Sequence, residues 1–154
     1  MLHLQPPQPL NNDWNGVSVF LAGGITGCPD WQETLVVKLR ESLHNFPIVI
    51  LNPRRDVWDD NIKGEEQITW EFNAMKMADI IVFWFPKETL CPIALYELGR
   101  MLAGNKPVFI GIHPEYSRKE DIITQARLAR ESNYRIFSTL DSLATCIVSY
   151  VKKW

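Results

Sequence analysis

The sequence predicts an α/β domain built on a parallel sheet with helices over both faces. Three observations carry that expectation. Four short runs, Val17–Ala22, Ile48–Leu51, Ile80–Phe85 and Pro107–Ile112, are almost wholly apolar and lack the polar alternation of a half-exposed strand. Between successive runs lie segments with helical spacing or capping signals, as crossover connections require. The length of 154 residues, with 46% apolar and 22% charged side chains, suits one domain with a real core.

Residues 1–15, with Pro6, Pro7, Pro9, Asn11 and Asn12, show no repeating pattern and read as an extended arm. Val17–Ala22 is the first strand and ends at Gly23-Gly24. Asp30 can cap a helix running to about His44, with Leu35, Leu39 and Leu43 at four-residue spacing. Ile48–Leu51 follows Pro47 as the second strand and is closed by Asn52-Pro53. Arg54–Gly64 is polar and reads as a loop, and Glu65–Met77 has helical character. Asp79 opens the third strand, Ile80–Phe85. The helix Pro92–Ala103 then stops at Gly104-Asn105. Pro107–Ile112 is the fourth strand, Ser117–Ser132 a charged helix, and Arg135–Phe137 a short fifth strand. Thr139 can cap a last helix to about Lys152.

Five strands in this order suggest a flavodoxin-like three-layer sandwich with strand order 2-1-3-4-5; a Rossmann half with order 3-2-1-4-5 is the alternative. The domain expected is 16–154, preceded by the arm. In the 2-1-3-4-5 order the topological switch falls between the first and third strands, and ligands bind beyond their carboxyl ends. The loops there, Gly23–Asp30 and Pro86–Cys91, are the two of unusual composition.

Composition narrows the function. Sixteen basic against 18 acidic residues, a net charge of −2, give no electrostatic case for a nucleic-acid polymer as partner. Three cysteines without CxxC spacing favour neither a disulfide framework nor a zinc site, so a reducing, cytoplasmic setting is expected. No signal-peptide pattern and no apolar run of membrane-spanning length is present, so no membrane partner is expected.

The most informative stretch is Trp84–Gly99. It ends an apolar strand with Pro86, starts a helix at Pro92 and sets Glu97 among Leu95, Tyr96 and Leu98. A carboxylate in such a turn loses hydration. If it faces a pocket it can be a nucleophile or general base; otherwise it is a solvated helix acid. Gly23-Gly24-Ile25-Thr26-Gly27 lies between strand and helix, where free amides can hold an anion, or where glycines simply turn the chain. It is neither GxGxxG nor a Walker loop. Asn52-Pro53-Arg54-Arg55 leaves the second strand at the same edge. Arginines there can grip phosphate or carboxylate, although Arg55 reads as a solvated turn residue paired with Asp56, Asp59 or Asp60. Glu71 can orient Glu97 or be an ordinary exposed acid. His113 reads as a surface residue, and Cys91 lines the pocket or caps the helix.

Together these residues resemble the nucleoside 2-deoxyribosyltransferase family, including its relatives that hydrolyse deoxynucleoside monophosphates. The resemblance covers roughly residues 17–112. It rests on Ala78-Asp79-Ile80-Ile81-Val82 and Tyr96-Glu97-Leu98-Gly99, with the glycine-rich loop Ala22–Gly27. It implies a flavodoxin-like fold, attack by Glu97 on the anomeric carbon, and Glu71 at a position where the transferases usually have Asp. It also implies ligand contact by Gly23, Gly24, Ile25 and Thr26. Tyr96 would help position the sugar, Trp31 or Trp84 would stack on the base, and Asn52 and Pro53 would flank the ligand. Six residues before the nucleophile, where transferases carry Asp and hydrolases Ser, this chain has Cys91. Its tail, Tyr150-Val151-Lys152-Lys153-Trp154, also departs from the transferases. The activity implied is cleavage or transfer at an N-glycosidic bond of a nucleoside or nucleotide through a glycosyl-enzyme. Hydrolysis without transfer, or nucleotide binding without chemistry, are the alternatives. Neither metal nor cofactor is implied, and a homodimer or larger homo-oligomer is.

Overall fold

The computed structural model describes residues 1–11, 13–55 and 64–154. Asn12 and most of the loop expected over Arg54–Gly64, with Asp56, Asp59 and Asp60, lie outside the described residues. The elements in order are β1 (Leu2–Leu4), β2 (Val17–Gly23), α1 (Trp31–Ser42), β3 (Ile48–Leu51), α2 (Gly64–Met77), β4 (Ile80–Phe85), α3 (Pro92–Leu102), β5 (Val108–Ile112), α4 (Lys119–Ala129), β6 (Ile136–Phe137) and α5 (Leu140–Val151).

All strand pairs are parallel, and the sheet runs β1-β3-β2-β4-β5-β6. Without β1 this is the expected 2-1-3-4-5 order. The sixth strand comes from the start of the arm: Leu2–Leu4 pairs with Val49–Leu51. Three residues are too few to show a period, so the sequence carries no strand signal there. Further along, the arm is tied down by the Trp70 indole N–H, which donates to the Gln8 carbonyl at 2.7 Å.

The pleat explains why the strands are apolar throughout. Phe20, Ala22, Val49, Leu51, Ile81, Phe83 and Phe85 point to one face, under α2, α3 and α4. Val19, Leu21, Ile48, Ile50, Ile80, Val82 and Trp84 point to the other, where α1 and α5 cover them. Strands buried on both faces have no solvent side on which polar residues could alternate.

At the amino edge, β2 and β4 are clamped by side chains. Ser18 donates from its backbone N–H and its hydroxyl to Asp79 Oδ2, at 2.9 and 2.6 Å. The Asp79 N–H lies 3.0 Å from Ser18 Oγ. The end of α2 is held similarly: the Lys106 ammonium donates to the carbonyls of Met75, Lys76 and Ala78, where a cation also complements the helix dipole. Among the described residues no helix is long and apolar enough to cross a membrane.

Candidate active site

The chain leaves β2 toward β3 on one side and later returns to β4 on the other, so the carboxyl ends of β2 and β4 flank the switch point. A cavity of about 800 Å³ opens there. Its walls are the glycine loop (Gly24, Ile25, Thr26), one face of α2, and the first two turns of α3.

The backbone at the floor is closely packed. Gly23, with φ +150°, leaves no room for a side chain, because a Cβ would meet the Trp84 carbonyl oxygen at 2.2 Å. A Cβ on Gly24 would meet Pro86 Cγ at 2.7 Å and the sulfurs of Cys28 and Cys91 at 2.9 and 3.0 Å. These two glycines let the loop run against β4 and the start of α3.

Helix α3 begins at Pro92, preceded by Cys91 in a left-handed conformation (φ 49°). Ala94, Leu98 and Leu102 face the core at four-residue spacing. Glu97 sits on the flank of that stripe, half-buried, on the cavity wall. On α2, Trp70, Ala74 and Met75 are buried and Glu71 lies beside them, also on the wall. Glu71 Oε1 accepts a 2.6 Å hydrogen bond from Gln67 Nε2, which also reaches the Pro53 carbonyl at 2.9 Å.

Burial raises both carboxyls. Glu97 is pushed up to about 7, first by desolvation and then by the charge of Glu71, while the Arg100 guanidinium pulls it down. Glu71 is raised by desolvation, against the Gln67 hydrogen bond and the Arg55 charge. Arg100 follows Glu97 by three residues on the same wall. Its guanidinium lies 4.7 Å from the centre of the Phe72 ring, and Nη2 is 3.2 Å from Met75 Sδ. Its Nε is buried with no hydrogen-bond partner among the described residues. A guanidinium held by a thioether and a ring, with no carboxylate bridge among the described residues, keeps donors for an oxygen acceptor.

The structure brings Glu97, Glu71, Gly24, Ile25, Thr26, Cys91 and Tyr96 to one cavity, with Tyr96 exposed at its rim. Five other expected site residues lie behind the wall. Gly23 is filled around by Trp84. The Trp31 ring is buried in the core under α1 and α5, its N–H donating to the Gly24 carbonyl at 2.8 Å. Trp84 points to the same core, because the pleat turns it away from α2 and α3. Neither indole presents a stacking face to the cavity. Asn52 is buried and binds its own loop: Oδ1 accepts from the Arg54 N–H at 3.0 Å, and Nδ2 lies 3.2 Å from His3 Nε2. Pro53 contributes through the carbonyl that holds Gln67.

Arg55 departs from its expected place as a solvated turn residue. It is 7% exposed and lines the cavity. Arg54 instead donates to the carbonyls of Ile25 and Cys28, at 2.7 and 2.9 Å, and bridges Asp30 at 3.3 Å, bracing the glycine loop from outside. Gln67, Phe72 and Arg100 were not singled out by the sequence, although Gln67 stands four residues before Glu71 and Arg100 three after Glu97, the spacings of helix neighbours.

A family model described as nucleoside 2-deoxyribosyltransferase-like matches residues 16–116. No curated protein matches the sequence significantly. Among solved structures, a conserved protein from Enterococcus faecalis V583 superposes with a TM-score of 0.63 at 14% identity, covering 90% of this chain and 99% of its own. A CMP N-glycosidase from Clostridium botulinum superposes with a TM-score of 0.56, also at 14% identity, covering 86% and 98%. At that identity the two share the fold.

Proposed function

The chain belongs to the nucleoside 2-deoxyribosyltransferase-like family, and from that membership we propose that it cleaves or transfers the N-glycosidic bond of a nucleoside or nucleotide, with Glu97 as the nucleophile. The observation that carries the reading is the placement of Glu97 and Glu71 on one cavity, lined also by the glycine loop at the switch point. A carboxylate there can trap an oxocarbenium-like sugar as a glycosyl-enzyme.

In this reading Glu97 attacks the anomeric carbon as its anion, and the base leaves with the electron pair of the glycosidic bond. In this reading a base stacks on the Phe72 ring, and the donors of Arg100 beside that ring stabilise the charge it takes up as it leaves. Glu71, fixed by Gln67, orients Glu97, and its charge adds to the burial that raises the Glu97 carboxyl. A second base then accepts the sugar, giving transfer, or water does, giving hydrolysis.

A nucleotide rather than a nucleoside is favoured by one further feature. Ile25, Thr26 and Arg55 also line a smaller recess beside the main cavity, where the loop backbone and a guanidinium suit a phosphate and the Asp30 carboxylate on the same recess is offset by its ion pair with Arg54. The exposed apolar rim of Ile68, Phe72, Ile93 and Tyr96 supports a homo-oligomer, which a sedimentation mass tests.

The deciding experiment measures base release from a panel of nucleosides and monophosphates, with and without a second free base. Release by the wild type, and none by a folded Glu97→Gln variant, is expected. New nucleoside formed from the added base identifies transfer. An active Glu97→Gln variant overturns the nucleophile assignment. A silent wild type that one nucleotide stabilises against heat leaves a binding module instead.

A further inference from the structure

Two of the three free cysteines meet behind Gly24, Cys91 lining the main cavity and Cys28 the smaller recess beside it. Cys28 lies in the glycine loop and is half-buried; Cys91 precedes α3 and is buried. Both sulfurs fall within 3.0 Å of one point, the place a Cβ on Gly24 would occupy. They are therefore less than about 6 Å apart, facing each other across a residue with no side chain. Among the described residues each thiol makes a long contact, at 3.5 Å, with a carbonyl of its own loop: Cys28 with Thr26 and Cys91 with Thr89. Cys146, the third thiol, packs against the core on the opposite face of the sheet.

We infer that Cys28 and Cys91 form a modification site, a dithiol that hydroperoxides convert to a disulfide tying the glycine loop to the start of α3. The half-buried Cys28 is the residue an oxidant reaches. Its thiolate attacks the peroxide O–O bond, giving a sulfenic acid and releasing water or the corresponding alcohol. Cys91 then displaces the hydroxyl as water. Two thiols lose two protons and two electrons, and the peroxide is reduced. Burial, then the Glu88 carboxylate, raises the Cys28 thiol, and the Arg54 guanidinium opposes them. Burial also pushes Cys91 up to about 12, with the Cys28 and Glu88 charges adding to it. Neither thiol is an activated one, so both steps are slow compared with those of a low-pKa pair, although the second gains from being intramolecular. The bonded loops are two walls of the same cavity, so the disulfide fixes the cavity's shape. Its formation is independent of the role given to Glu97; its effect on turnover rests on that reading.

The test exposes the native full-length chain to hydrogen peroxide, counts thiols and maps disulfides by mass spectrometry of a non-reduced digest. Wild type and Cys146→Ser should each lose two thiols together, show the Cys28–Cys91 peptide pair, and recover both thiols with dithiothreitol. Cys28→Ser, with melting temperature as the folding control, should leave Cys91 reduced at the same dose. Base release is followed in parallel, so a silent enzyme that still forms the bond separates the two proposals. Retention of all three thiols overturns the inference. So does over-oxidation of Cys28 with Cys91 still reduced, or pairing through Cys146.

Discussion

Replacing Glu97 by Gln should stabilise the protein in a pH-dependent way while removing its chemistry. The folded state holds this carboxyl at about 7, against an ordinary 4.5. Between those values the native state binds a proton that the unfolded chain has released, so stability falls as pH rises from the lower to the higher. Below the lower value the carboxyl is neutral in both states and carries no penalty. Above the higher value the penalty is complete. Each unit corresponds to about 1.4 kcal/mol. Between pH 5 and pH 8 the wild type should therefore lose roughly 2 kcal/mol relative to Glu97→Gln, after allowance for the carboxyl's partial exposure. For a chain of this length that is a relative shift in Tm of about 4–8 °C. Gln carries some cost of its own at every pH, and comparing the two proteins at both pH values cancels it. Calorimetric scans at pH 5 and pH 8 read the difference. A Tm gap between the two proteins that is the same at both pH values would refute the claim that Glu97 is ionised against its environment. Turnover in the variant should fall by more than about 10⁴-fold, as expected for loss of a nucleophile.

The other expectations follow from the same charges and contacts. Glu71→Gln removes the carboxylate that raises Glu97, so the rising limb of the kcat/KM profile should move to lower pH, with a smaller loss of rate than in Glu97→Gln. Arg100→Met removes the opposing cation and should move that limb upward in pH. It should also slow release of poor leaving groups more than of activated ones, which a series of bases measures. Asp79→Asn weakens charged hydrogen bonds between β2 and β4 and should cost about 1.5–3 kcal/mol in denaturant unfolding, with base release per folded molecule unchanged.

The sheet was legible because burial on both faces leaves an unmistakable mark, four apolar runs with helices between them. β1 left none: its pairing with β3 is made by backbone groups of Leu2–Leu4, and three residues are too few to show a period. Glu97 stood out as an acid inside an apolar turn, and the switch-point rule brought it to Gly24–Thr26 across more than seventy residues of sequence. Arg100, Gln67 and Phe72 lie on helix flanks, where a wall of a cavity and a solvent face have the same spacing. Only the angle between α2 and α3 separates the two, and no local pattern encodes it. Trp31 and Trp84 show the converse difficulty. Aromatic content suggests a stacking platform, but the face of the sheet to which each ring turns decides its use, and both turn toward α1 and α5.

The Ser18–Asp79 clamp sits at one end of the two central strands, and the cavity opens at the other. Asp79 belongs to the motif by which the chain resembles its family, yet its side-chain hydrogen bonds join one strand to its neighbour. The scaffold is thus fastened at the end of the strands away from the cavity. Glycine loop, rim and helix flanks can be exchanged for those of a relative with a different substrate range, and the seam between β2 and β4 will still hold. For directed evolution this separates the positions to randomise from those to leave alone: libraries belong at the carboxyl edge, and residues 18 and 79 stay fixed.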